Sequence, residues 1–200
     1  MDARGLATGK KNAARWGAAI VFIDEAGFMM GPHRRRSWAP RGQTPVLHQR
    51  GRSRLKVSVI GALSISPGRH RVRAWFAFEP QASFDGLHIL AFLRALLRSL
   101  RCPVVLIWDR LQAHRGEPVK SWLAANDHRV HAELLPAYAP ELNPVELIWG
   151  YAKTNPLANF APITLDALIT RTQLATQAIG ENPSLLRSML HHCPLSLRLK

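Results

Sequence analysis

FDGLHILAFLRALLRSLRCPVVLIWD, residues 84–109, carries two hydrophobic periodicities in succession. Leu87, Leu90, Ala91, Leu93, Leu96, Leu97 and Leu100 recur at three- and four-residue steps, which places them on one face of a helix. Val104–Trp108 (VVLIW) is then apolar without interruption, as a strand covered on both faces requires, and the run stops at Asp109. Upstream, Ala18–Asp24 (AAIVFID) has the same character and also ends on an aspartate. A helix leading into a buried, parallel-type strand marks an α/β layer.

The flanking sequence extends this pattern. Leu55–Ile65 and Arg71–Phe78 read as two strands around a Ser-Pro-Gly turn at 66–68, a hairpin that widens the first strand's sheet. A helix around Pro118–Ala125, a strand at Val130–Leu135, a Pro-rich loop and a helix opening near Pro144 follow. Leu165, Leu168, Ile169, Thr172, Ala175 and Ile179 form a further amphipathic stripe, closed by Gly180 and Pro183. Residues 1–17 are expected to be a basic lead-in or linker, and residues 18–200 a single domain with a mixed sheet.

The chain has 27 Lys+Arg against 13 Asp+Glu, a net charge of +14, which favours a polyanionic partner such as nucleic acid. Cys102 and Cys193 lack the paired spacing of structural zinc or a redox couple, so a reduced, cytoplasmic setting is expected. Apolar runs such as Ala18–Ile23 are far shorter than the roughly 20 residues that span a bilayer, so no membrane role is expected.

Asp24 and Asp109 end strands, and in open α/β sheets ligands gather at the carboxyl ends of neighbouring strands. Glu146, at the start of the helix after the next strand, can bring a third carboxylate to the same point. Carboxylates without nearby Cys or a His pair suit Mg²⁺ or Mn²⁺, and a phosphate ester is then the natural substrate. Each acid also has a purely structural reading. Asp24 can simply end a strand, Asp109 can open an Asx-type turn before Leu111, and Asn143-Pro-Val-Glu146 has the form of a capping box. Glu25 faces away from Asp24 and, with Asp85, Glu117, Asp127 and Glu141, is expected to be solvated.

Three segments, IDEAGF (23–28), VVLIWDRLQAHR (104–115) and LLPAYAPELNPVELIWGYAK (134–153), together resemble the DDE-type transposases of bacterial insertion sequences in the mariner superfamily. The third is the most specific, with its Pro/Tyr/Pro loop and Leu-Asn-Pro leading to an acid and a helix bearing Trp and Lys. Asp24 and Asp109 lie 85 positions apart and Asp109 and Glu146 lie 37 apart, intervals that match the family in kind. The resemblance covers about residues 18–190. It implies a ribonuclease-H-like fold, a mixed central sheet with helices on both faces, and Asp24, Asp109 and Glu146 as catalytic metal ligands for two ions of Mg²⁺ or Mn²⁺. It further implies cleavage and strand transfer at transposon ends, target DNA as second partner, a homo-oligomer on DNA and a nucleoid-associated location.

Two departures qualify this. Arg110 stands where the family often has Asn after the second aspartate, and no helix-turn-helix unit precedes Ala18. End recognition is therefore expected from another segment or a separate helix-turn-helix polypeptide. A non-catalytic DNA-binding remnant or regulator is the alternative, and a ribonuclease-H-like nuclease with another substrate is a third.

Arg34, Arg35, Arg36 and Trp38, continued by Arg41, Arg50, Arg52, Arg54 and Lys56, suit phosphate contacts and stacking, or else form a solvated loop. His114 and Arg115 resemble the family's His after the second aspartate, with a supporting hydrogen bond, a phosphate contact or a plain helix cap as roles. Lys153 shares a helix face with Glu146 and could meet the DNA backbone. Trp149 is expected in the core, and His191, His192 and Cys193 are expected to be incidental.

Overall fold

The structure, a computed structural model, describes residues 13, 15–49, 54–195, 197 and 199. Most of the basic lead-in (1–12 and 14) and two cations of the basic stretch, Arg50 and Arg52, lie outside the described residues.

Five strands form one sheet: β1 (Ala19–Met29), β2 (Lys56–Ile65), β3 (Val72–Pro80), β4 (Val104–Trp108) and β5 (Val130–Leu134), in the order β3-β2-β1-β4-β5. β1, β2 and β3 are antiparallel neighbours, whereas β4 lies parallel to β1 and β5 parallel to β4. The sheet is therefore mixed, with the chain changing from hairpins to crossovers after β3.

Strand alternation sends side chains to two separate cores. Val21 and Ile23 of β1, with Leu106 of β4, pack on Ile89, Leu93 and Leu96 of α1 (Gly86–Leu100) and on Val119 of α3 (Glu117–Ala125). Ile20 and Phe22, with Val105 and Ile107, pack on Ile148 and Trp149 of α4 (Pro144–Thr154), Leu168 and Ile179 of α5 (Leu165–Gly180) and Leu186 of α6 (Pro183–His192). Helices thus cover both faces, and each fully buried Leu, Ile or Phe stabilises the fold by about 1.5–3 kcal/mol. A short helix, α2 (Gln112–Arg115), follows β4.

Two boundaries differ from the sequence reading. β1 does not stop at Asp24 but continues to Met29, because β2 pairs with it through Met29↔Lys56. Pro183 opens a helix as well as following one: Asn182 accepts a hydrogen bond from the Leu185 N–H and caps α6. Among the described residues, no helix is long and apolar enough to cross a membrane.

Candidate metal centre

The last printed pair between the parallel strands β1 and β4 is Phe22↔Ile107. Asp24 and Asp109 each lie two residues beyond that pair, in the same direction along the two neighbouring strands. Glu146 reaches the same place from the first turn of α4, which Asn143 docks on the sheet. The Asn143 Nδ2 donates to the Ile23 carbonyl at 3.0 Å, while its Oδ1 accepts from the Val145 N–H at 3.2 Å. The reciprocal half of the capping box does not form, because the Asn143 N–H donates to the Pro140 carbonyl instead. Among the described residues the Glu146 side chain has no hydrogen bond, and it stays exposed to the cleft.

Asp24, Asp109 and Glu146 line one cleft of about 430 Å³, walled by Arg110, Leu111 and the loop Leu135–Pro140. Each aspartate is held by one oxygen. Trp149 Nε1 donates to Asp24 Oδ2 at 2.8 Å. Asp109 Oδ1 accepts the Leu111 N–H at 2.9 Å, closing the Asx turn, and lies 2.9 Å from His114 Nδ1. Asp24 Oδ1 and Asp109 Oδ2 have no hydrogen-bond partner among the described residues.

The electrostatics follow from this packing. Burial pushes the Asp24 carboxyl up to about 8; Glu146, Glu25 and Asp109 add to the rise, while the Trp149 hydrogen bond opposes it. The hydrogen bond from His114 holds Asp109 below the usual carboxylate value against partial burial, helped by the Leu111 N–H. Burial opposes charge on His114, but its bonds to Asp109 and Glu25 outweigh that and raise it to about 9.

Glu25 is not solvated as expected. It lies on the opposite face of β1 from Asp24, yet its Oε1 meets His114 Nε2 at 2.8 Å, and its side chain is only 15% exposed. The donor atoms of Glu25, Asp109 and His114 fall within 4.8 Å of one another, a grouping that could itself hold a metal ion. Both ring nitrogens already face carboxylate oxygens, however, and a protonated imidazole has no lone pair to offer a cation. The three carboxylates of the cleft, with unengaged oxygens and no sulfur donor, fit a hard divalent cation better.

The other candidates are dispersed. Arg34, Arg35, Arg36 and Trp38 are exposed and outside the cleft lining, Trp38 fully so. Their loop is rooted by Asn159, which accepts the Arg35 N–H at 2.8 Å and donates to the Arg35 carbonyl at 3.0 Å. Arg115 is exposed and also outside the cleft lining. The Lys153 ammonium sits 5.5 Å from the Phe28 ring centroid, off the cleft lining. Arg110 does line the cleft; its Nε donates to the Leu135 carbonyl at 3.3 Å, and it forms no ion pair with Asp109 among the described residues. Sequence reading missed Glu25 and the polar role of Trp149. His191 and His192 are exposed, and Cys193 is buried.

No curated protein sequence matches the chain. Its fold is similar to the Mos1 mariner paired-end complex with Mn, at 16% identity and TM-score 0.63 over 97% of this chain and 60% of that one. It is also similar to the Mos1 strand transfer complex, at 18% identity and TM-score 0.62, covering 96% of this chain and 57% of that one. With the isolated Mos1 mariner transposase catalytic domain it shares 14% identity at TM-score 0.59, covering 96% of this chain and 87% of that one. The chain thus spans about 60% of the transposase in the paired-end complex, and its mixed sheet has the ribonuclease-H-like fold of the Mos1 catalytic domain. Residues 19–169, from the start of β1 into α5 and including all three cleft acids, match the DDE superfamily endonuclease family, and the chain belongs to that family.

Proposed function

We propose that this chain is the catalytic domain of a transposase, cutting DNA at the ends of a mobile element such as an insertion sequence and joining the freed ends to target DNA. The observation that carries the reading is the cleft in which Asp24, Asp109 and Glu146 meet, with one unengaged oxygen on each aspartate. These residues would hold Mg²⁺ or Mn²⁺, two ions in the full site. Bound there, the ions would activate the attacking oxygen and stabilise the leaving one during in-line displacement at phosphorus. The protein's share is positional: Trp149, His114 and Asn143 fix the acids before substrate arrives, which lowers the reorganisation required at reaction. Arg110, drawn to the Leu135 carbonyl, leaves Asp109 open and offers a cation at the cleft rim for a phosphate.

DNA is the partner, with the exposed Arg34–Arg36 loop as one phosphate-binding surface. A homo-oligomer on DNA and a helix-turn-helix segment on this or another polypeptide would complete end recognition. Residues 18–200 act as one catalytic unit after a basic lead-in, working at the nucleoid. The alternative, a non-catalytic DNA-binding remnant or regulator, draws on Arg110 and on the helix-turn-helix unit expected elsewhere; against the first ground, the Arg110 side chain donates to the Leu135 carbonyl and forms no ion pair with Asp109 among the described residues. The test is nicking of mobile-element end DNA with Mn²⁺. Wild-type protein cuts, Asp109→Ala does not, and equal cutting by both would exclude Asp109 from the chemistry.

A further inference from the structure

His114 is fully buried and engaged through both ring nitrogens by carboxylates from two different elements. Nδ1 meets Asp109 Oδ1 at 2.9 Å, and Nε2 meets Glu25 Oε1 at 2.8 Å. Its ring is stacked on Trp108, with centroids 4.3 Å apart and planes 5° from parallel. Trp108 is itself buried as the last residue of β4. The imidazole can therefore neither tilt nor flip without losing a bond on one side or contact on the other. Glu25 belongs to the face of β1 that packs on α1 and α3, opposite Asp24, so the chain of contacts crosses from that helical layer to the edge of the cleft.

We infer that Glu25 and His114 form a positioning relay that fixes which oxygen of Asp109 is presented to metal. The inference rests on the reading of Asp109 as a metal ligand. The Leu111 N–H and His114 both engage Oδ1, which sets the carboxylate plane and leaves Oδ2 without a partner among the described residues, on a side chain that lines the cleft. Without His114, the turn amide alone would hold Asp109, and its carboxylate could rotate about the Cβ–Cγ bond. Without Glu25, His114 would lose the partner that fixes the orientation of its ring. Carboxylate–histidine pairs that orient a ligand from behind commonly change metal affinity by about 10- to 100-fold when broken. The relay differs from direct ligation by Glu25, Asp109 and His114 because it keeps nitrogen off the metal.

The test is Mn²⁺ binding by calorimetry to wild-type protein, Glu25→Gln, His114→Gln and Asp109→Asn, with metal-free melting curves alongside and pulsed electron paramagnetic resonance of the bound ion. Glu25→Gln retains the side-chain shape and carries the test should His114→Gln fail to fold. The relay predicts that folded Glu25→Gln loses at least about tenfold in Mn²⁺ affinity. It also predicts a wild-type spectrum without coupling to a directly bound imidazole nitrogen. Unchanged affinity in folded Glu25→Gln overturns the relay, and nitrogen coupling that disappears in His114→Gln overturns it in favour of direct ligation. Wild-type affinity in Asp109→Asn would instead show that the ligand assignment beneath it fails.

Discussion

Asp24 is the residue on which several constraints converge. It pairs with Gly61 across β1 and β2, and a Cβ at Gly61 would lie 2.6 Å from the Trp149 ring. Gly61 thus makes room for the indole that binds Asp24. Gly61→Ala is expected to destabilise the fold by about 1–3 kcal/mol through overpacking, measured by urea unfolding. Trp149→Phe keeps most of the packing but removes the hydrogen bond that favours the ionised form of Asp24, the form a metal requires, so Mn²⁺ affinity near neutral pH should fall about tenfold. The Asp24 carboxyl titrates near 3.8 unfolded and about 8 folded, where burial and the nearby charges of Glu146, Glu25 and Asp109 raise it. Between those values the folded chain keeps a proton that the unfolded chain has lost. Metal-free stability therefore falls as pH rises through that window and levels off above it. His114, at about 9 folded against 6.5, extends the fall in the same direction. A bound cation must displace the Asp24 proton, so Mn²⁺ should raise the melting temperature more at pH 8.5 than at pH 6. The acids could be found in sequence because each follows an apolar run or a helix-start signature. Of their anchors, His114 was legible as a supporting histidine after Asp109, but Glu25 lies 89 positions from it and Trp149 looks like any core residue at helical spacing, so their roles were not.

At the scale of elements, α4 matters because it carries both Glu146 and Trp149, and Asn143 fixes its start to β1. Asn143→Ala removes a helix cap and a buried bond to the Ile23 carbonyl together. Asn182→Ala removes a cap whose bond is exposed. The former should cost about 2–3 kcal/mol and the latter about 1 kcal/mol in denaturant melts, and equal losses would show that the tie to Ile23 contributes little. The sequence made the strand–helix alternation legible because buried strands and one-sided helices differ in period. It concealed the far half of β1, since Glu25 and Gly27 interrupt its apolar pattern and only pairing with β2 keeps it extended. The start of α6 was marked by Asn182-Pro183, the same cap signature as Asn143-Pro144, but the proline also serves as a stop after α5.

For the whole molecule, the charge of +14 contrasts with the three carboxylates in the cleft. A basic exterior would bring DNA to an acidic centre that tolerates the scissile phosphate only when cations are present. If about six phosphates are neutralised, log K for DNA should fall against log salt with a slope near −5, and charge reversal at Arg34, Arg35 and Arg36 should flatten it. An unchanged slope would leave that loop merely solvated. The central claim is that Asp24, Asp109 and Glu146 jointly hold the catalytic cations. It is tested most directly by crystallography of the protein with Mn²⁺, using anomalous scattering to locate the metal. The account predicts manganese in the cleft, bound through Asp24 Oδ1, Asp109 Oδ2 and Glu146, with His114 still bridging Glu25 and Asp109; manganese bound to the His114 ring, or none between the three acids, would contradict it.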